Sequence, residues 1–214
     1  AHIKSIKDIE DRDIEEKDIT EENIEKLRNM VLPVFEEKKI SEMEELILKA
    51  REDGNSIGGV IEVMATGVQP GIGDPFFESM ESELSRMIFS VPATKGIEFG
   101  AGFGIARMTG YEANDEMYYD ADGKVKSYTN NNGGITGGIT NGMPISFKVA
   151  IKPPASIERK QKTVNLETKM NDFLEVRGRH DPVIVPRAVV VIEAATAIVI
   201  LDRLIESEKN KRYK

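Results

Sequence analysis

The sequence contains no cysteine and only two histidines, His2 and His180, in its 214 residues. Without cysteine there is no disulfide, no thiolate metal ligand and no cysteine nucleophile. With two histidines so far apart, no Ser-His-Asp arrangement can be argued. Carboxylates alone remain as metal ligands, and no motif arranges them, so no metal is expected. Long apolar runs are missing too. The longest, Ala188 to Leu201, is interrupted by Glu193, which excludes a membrane partner. Charge begins at Lys4, which fits no secretory leader, and a cytoplasmic protein is expected. No basic stripe precedes the short tail from Lys209 to Lys214, so nucleic acid is not an expected partner.

The composition that is present is ordinary. Hydrophobic residues make up 40 % and charged residues 31 %, and the net charge is −8. Most of the excess acid lies in residues 1–53; the remainder is nearly neutral. That balance speaks to solubility and not to a site. A chain of this length buries a sizeable core, and one domain over residues 1–214 is expected.

Periodicity suggests an irregular alternation of strands and helices. His2, Ile3 and Ile6 suit a strand whose partners lie upstream. A weak helix follows Thr20, with Ile24, Leu27 and Val31 on one face. Ser41 and Glu44 read as a capping box for the next helix, whose apolar stripe is Met43, Leu46, Ile47 and Ala50, with Gly54 at its end. A strand spans Ile57 to Thr66. Asp74-Pro75 reads as the N-cap and first position of a helix carrying Met80, Leu84, Met87, Ile88 and Val91, ended by Pro92. A strand is expected from Gly96 to Phe99, and a hairpin turn at Asp122-Gly123. Ile145, Phe147, Val149 and Ile151 alternate with polar or small residues, the mark of a strand with one buried face. A further short strand is expected in residues 157–176, and a long buried helix from Val185 to about Glu206. The fold class is α+β.

Four features carry candidate chemistry. Residues 130–142 read NNNGGITGGITNG, a tandem Gly-Gly-Ile-Thr repeat whose glycines let backbone approach a ligand or simply form a surface loop. No Gly-Lys-Ser/Thr follows, and GAGFG at 100–104 lacks the dinucleotide spacing. Lys152 ends its strand beside Pro153 and Pro154, either as a ligand contact or as a solvated lysine. In GRHDP at 178–182, Arg179 offers a planar fork for phosphate or carboxylate. Asp181 either moves a proton or pairs with an arginine ahead of the last helix. His180 points away from its neighbours in an extended backbone and is not favoured as a catalyst. Glu193 sits among apolar residues and is either paired internally, for instance with Arg187, or faces the cavity; the internal pair is preferred.

Several segments together resemble chorismate synthase in order and spacing. They are DGNSIGGVIEV (53–63), the run from Gly67 to Phe103, the glycine repeat, KPPAS (152–156) and RHDPVIVPRAVVVIEA (179–194). The resemblance extends from about Ile3 to Ile205. It implies a β-α-β sandwich with helices between antiparallel sheets, a homotetramer, and reduced FMN as cofactor. It also implies trans-1,4 elimination of phosphate from 5-enolpyruvylshikimate-3-phosphate to give chorismate, without net redox change. By the resemblance, Gly137 contacts flavin, and Lys152, Pro153, Pro154, Ala155 and Ser156 form a loop around it, the lysine near its phosphate. Arg179 is a further flavin position, Asp181 an acid that assists proton removal, and Ala93 a backbone contact. Ser156 replaces a common threonine. The family's FGESHG-type and RxSxRET-type motifs do not occur here, so the sandwich is expected to be incomplete, a C-terminal portion inactive on its own. A non-catalytic flavin-binding or oligomerisation module is the alternative.

Overall fold

The structure, a computed structural model, describes residues 1–178 and 180–212. In chain order its elements are β1 (His2–Ile6), β2 (Ile9–Glu10), α1 (Glu21–Asn29), α2 (Lys38–Glu52), β3 (Gly59–Ala65), α3 (Met80–Ser90) and β4 (Thr94–Phe99). There follow α4 (Gly110–Ala113), β5 (Met117–Tyr119), β6 (Val125–Ser127), β7 (Ile135–Thr136), β8 (Ile139–Thr140) and β9 (Ile145–Ile151). The hairpin β10 (Gln161–Asn165) and β11 (Met170–Leu174) precedes the long α5 (Val185–Arg212). The main sheet is antiparallel with strand order β2-β1-β3-β9-β4, and the described residues form three two-stranded hairpins besides.

The alternation read in β9 is realised. Ile145, Phe147, Val149 and Ile151 are all buried, while Ser146, Lys148 and Ala150 face the other way. With α3 and α5 packed on the sheet side, these residues join Met80, Leu84, Ile88, Val185, Val189 and Ile192 in one core. At about 25 cal/mol per Å² of apolar area removed from water, such a cluster is the main stabilising term.

β1 differs from expectation. Its partners are β2 and β3, both later in the chain, and not strands upstream. A bulge between Ile3 and Ser5 resets the alternation, so Ile3 and Ile6 both reach the core although they are three residues apart.

Two helix starts also move. α2 begins at Lys38, so Ser41 lies inside the helix and forms no cap. The backbone donors of Phe35 and Glu36, just ahead of it, are taken by the Asp11 carboxylate at 2.6 and 3.0 Å. α3 begins at Met80, with Ser79 as N-cap accepting from Ser82 N–H. Asp74-Pro75 instead precedes a single 3₁₀ turn whose Phe76 has φ +67°, so the helix cannot start there. Thr20 does cap α1, accepting from Asn23 N–H at 3.2 Å. Val31 lies beyond that helix and is exposed.

α5 is buried on one side only. Val185, Val189, Ile192, Ala195 and Val199 face the sheet and α3, whereas Val190, Ile198, Leu201 and Ile205 are exposed although apolar. A helix apolar all round buries its whole surface only with neighbours on every side, and here it has them on one. Residues 157–176 hold two strands instead of one, paired with each other. No helix among the described residues is long and apolar enough to cross a membrane.

Candidate functional site

The glycine repeat folds as the β7–β8 hairpin, with Ile135 opposite Thr140 and Thr136 opposite Ile139. Gly137 and Gly138 make the two-residue turn, with φ of +62° and +88°, a combination that disfavours residues with a Cβ. Their surroundings differ. A Cβ on Gly137 would meet nothing within 4 Å, so this turn is open to a ligand. A Cβ on Gly138 would lie 2.7 Å from Ser79 Cβ, because the Gly138 carbonyl accepts from Met80 N–H at the start of α3. Gly133 and Gly134 are likewise pressed against the Ser146 and Pro144 carbonyls. Three of the four glycines are thus used for packing.

Side chains that the sequence did not single out build this platform. Asp115 accepts from Thr129 Oγ1, from the backbone N–H of Asn131 and Asn132, and from Asn132 Nδ2. Burial opposes its ionisation, but those hydrogen bonds prevail and hold the carboxyl below its ordinary value. Buried Thr140 fastens the 67–73 loop: its Oγ1 accepts from Ile72 N–H at 2.9 Å and donates to the Gln69 carbonyl at 2.8 Å.

A second group of candidates gathers at the other end of β9. Lys152 N–H donates to the Ala93 carbonyl at 2.9 Å, which joins two segments 59 residues apart in sequence. Ala93 has φ +72°, a strained value for a residue with a side chain. The Lys152 side chain is exposed and forms no ion pair among the described residues. Pro153 to Ser156 continue from it and are held by Ser56, whose hydroxyl donates to the Pro154 carbonyl at 2.5 Å. Ile57 N–H donates to the Pro182 carbonyl at 2.8 Å, bringing the 180–182 segment alongside. Arg179 lies outside the described residues.

Between these segments is a polar cleft of about 480 Å³, lined in part by Arg51, Asn55, Ser156, Glu158, His180 and Asp181. His180 Nε2 is buried at its wall with no hydrogen-bond partner among the described residues. Asp181 pairs with Arg187, inside α5, through two contacts of 2.8 and 3.2 Å. Arg187 is therefore not the partner of Glu193, which instead meets Arg28 at 2.9 Å and the Ala1 nitrogen at 2.8 Å. A larger apolar cavity of about 690 Å³ lies between α1, α5 and β3; Glu193 is on its lining, whereas Ala93, Lys152 to Ser156, Gly137 and Asp181 are not.

Gly137 is not part of the second group. The hairpin it belongs to is tied through Gly133 to Ser146, near the N-terminal end of β9, whereas Lys152 follows the C-terminal end of that strand.

One further cluster was not legible. His2, Glu62, Lys148 and Glu98 stand opposite one another across β1, β3, β9 and β4. His2 Nδ1 is 3.0 Å from Asp11 and Nε2 is 3.0 Å from Glu62, all buried. Burial opposes ionisation of Asp11, yet hydrogen bonds from His2, Phe35 and Glu36 hold its carboxyl below the ordinary value. Among the described residues, no group of three or more His, Cys, Asp and Glu side chains is placed to hold a metal.

An antiparallel sheet with helices on it, a glycine-rich hairpin and a cation-bearing loop after β9 make this an α+β protein. Comparison with known proteins narrows the class. The chorismate synthase family profile matches residues 1–205, and the chain belongs to that family. Chorismate synthase of Methanocaldococcus jannaschii is 52 % identical over 165 residues, which cover 77 % of this chain and 44 % of the relative. That of Trichodesmium erythraeum is 41 % identical over 205 residues, 96 % of this chain and 54 % of the relative. A crystal structure of chorismate synthase superposes with a TM-score of 0.74 at 31 % identity, covering 96 % of this chain and 56 % of that one. The chain spans about half the length of the relatives it matches.

Proposed function

We propose that this chain supplies the flavin-holding part of a cytoplasmic, homotetrameric chorismate synthase. The reaction is removal of phosphate and a ring proton from 5-enolpyruvylshikimate-3-phosphate to give chorismate, the last step of the shikimate pathway, with reduced FMN as cofactor. The observation that carries this reading is the junction at the end of β9, where Ala93, the Lys152–Ser156 loop and the 180–182 segment meet through backbone and hydroxyl contacts.

The residues present fit an anionic, hydrogen-bonding cofactor. Lys152 is a cation without an ion pair among the described residues, Ala93 holds strained backbone beside it, and Ser156 opens on the same polar cleft as Asp181. Lys152, Ala93 and the 153–156 loop would hold FMN, joined by Gly137 if the ligand runs along β9, and by Arg179. Bound there, reduced FMN would supply electron density that the substrate returns, and the elimination would involve no net oxidation. Lys152 offsets anionic charge, and the prolines keep its loop rigid. Asp181 is the proton acceptor: Arg187 takes one acceptor position on each of its oxygens and leaves the others free. The C–H bond electrons form one new double bond, the existing ring double bond shifts toward the carbon that bears phosphate, and the C–O pair leaves with the phosphate.

Residues 1–214 by themselves are expected to be inactive. The test therefore joins them to the complementary part of the Methanocaldococcus jannaschii relative. In that chimera, Lys152→Ala should weaken FMN affinity about 10- to 100-fold, as for a lost charge-assisted contact. Asp181→Asn should leave affinity nearly intact and slow turnover about 100- to 10,000-fold. Normal turnover by Asp181→Asn would reduce Asp181 to the structural partner of Arg187.

A further inference from the structure

The loop between α2 and β3, residues 54–58, contacts both the segment that follows β9 and the segment that carries Asp181. The Gly54 carbonyl accepts from Glu158 N–H at 3.0 Å, just past the Lys152–Ser156 loop. Ser56 Oγ donates to the Pro154 carbonyl in the middle of that loop. Ile57 N–H donates to the Pro182 carbonyl, one residue after Asp181. At Gly58 there is no room for a side chain, since a Cβ would lie 2.4 Å from the Ile151 carbonyl and 3.0 Å from Pro153 Cδ. The loop itself is anchored, because Asn55 N–H closes α2 on the Ala50 carbonyl and Lys7 N–H donates to the Gly58 carbonyl.

Of these contacts only the Ser56 hydroxyl is a side-chain contact. It is also the one reaching the stretch of chain least able to hold itself. Pro153 and Pro154 have no backbone N–H to donate, and the loop between Lys152 and Glu158 forms no strand or helix. We infer that Ser56 is a positioning residue: its hydroxyl fixes the Lys152–Ser156 loop at the distance from Asp181 that ligand binding in the polar cleft requires. The ligand's identity as FMN rests on the function proposed above; the clamp itself rests only on the contacts of Ser56, Ile57 and Gly58. Loss of one neutral hydrogen bond predicts about a tenfold loosening of whatever the loop holds.

The experiment compares Ser56→Ala and Ser56→Thr with the parent by two readouts. The first is hydrogen exchange at Lys152 and Glu158, the hydrogen-bonded amides at the two ends of the loop, in the 214-residue chain, alongside its melting temperature. The second is FMN titration of the chimera. Ser56→Ala should speed exchange at these amides and weaken FMN about tenfold with little change in melting temperature, and Ser56→Thr should restore both. Unchanged exchange in Ser56→Ala overturns the clamp whatever the flavin result. Faster exchange with unchanged FMN affinity shows that the clamp does not position the ligand loop, and overturns the inference. If the parent chimera binds no FMN, the proposed function fails, and the exchange result still decides whether Ser56 holds the loop.

Discussion

Thr140 offers a test of how the glycine-repeat hairpin and the 67–73 loop hold one another. Replacing it by valine keeps the shape and burial but removes the hydroxyl. Ile72 N–H then loses its acceptor in a residue that is 1 % exposed, and the Gln69 carbonyl loses a donor. An unpaired buried donor costs about 1–3 kcal/mol, and the second bond about 1 more. The added methyl returns about 0.8 kcal/mol. The net loss should therefore be about 2 kcal/mol. With a urea dependence near 3 kcal/mol/M, the high end of the usual range, the unfolding midpoint should fall by about 0.7 M at unchanged slope. Amide exchange at Ile72 should accelerate about 30-fold if that amide opens locally. Thr140→Ser retains the oxygen and should stay much closer to the parent at Ile72. A Thr140→Val protein as stable as the parent, with Ile72 exchanging at the parent rate, would refute the reasoning.

Other expectations follow from the same geometry. Gly137→Ala should destabilise by about 1 kcal/mol, from its left-handed backbone alone; Gly138→Ala should cost clearly more, since its Cβ would also collide with Ser79, and equal urea midpoints for the two variants would contradict this. On acidification, the carboxylates of Asp11 and Asp115, both held below the ordinary 3.8, contribute stability that is fully present above that value and is lost as pH falls through their lowered folded values. Melting temperature against pH should accordingly drop below about pH 4, and the drop should shrink in Asp115→Asn; a flat profile would show that neither carboxylate matters. The exposed apolar face of α5, with Val190 66 % and Leu201 57 % accessible, should drive self-association of the 214-residue chain; sedimentation as a compact monomer at micromolar concentration would count against that.

The parts of the fold legible in the sequence are those set by local repetition. Strict alternation identified β9, helical spacing found the buried stripe of α3, and Asp122-Gly123 marked the β5–β6 turn. What failed depended on contacts from far along the chain. The start of α3 is set by Gly138, not by Asp74-Pro75, and Glu193 is paired by Arg28, 165 residues away. The site divides in the same way. Lys152, its prolines and Asp181 were visible as residue types beside turns. Thr140, Asp115 and Ser56, which hold them or the hairpin in place, look like ordinary polar residues until the partners are folded against them. A Ser or Thr carries no sequence signal for the particular carbonyl it will reach.

The claim that these segments build a chorismate synthase site is tested most directly by product formation. The chimera of residues 1–214 with the complementary part of the Methanocaldococcus jannaschii relative would be supplied anaerobically with reduced FMN and 5-enolpyruvylshikimate-3-phosphate. The account predicts chorismate and phosphate in equal amounts, with the rate depressed at least about 100-fold by Asp181→Asn. A folded chimera that binds FMN but releases neither product would contradict it, and would leave this chain as a flavin-binding module without catalytic function.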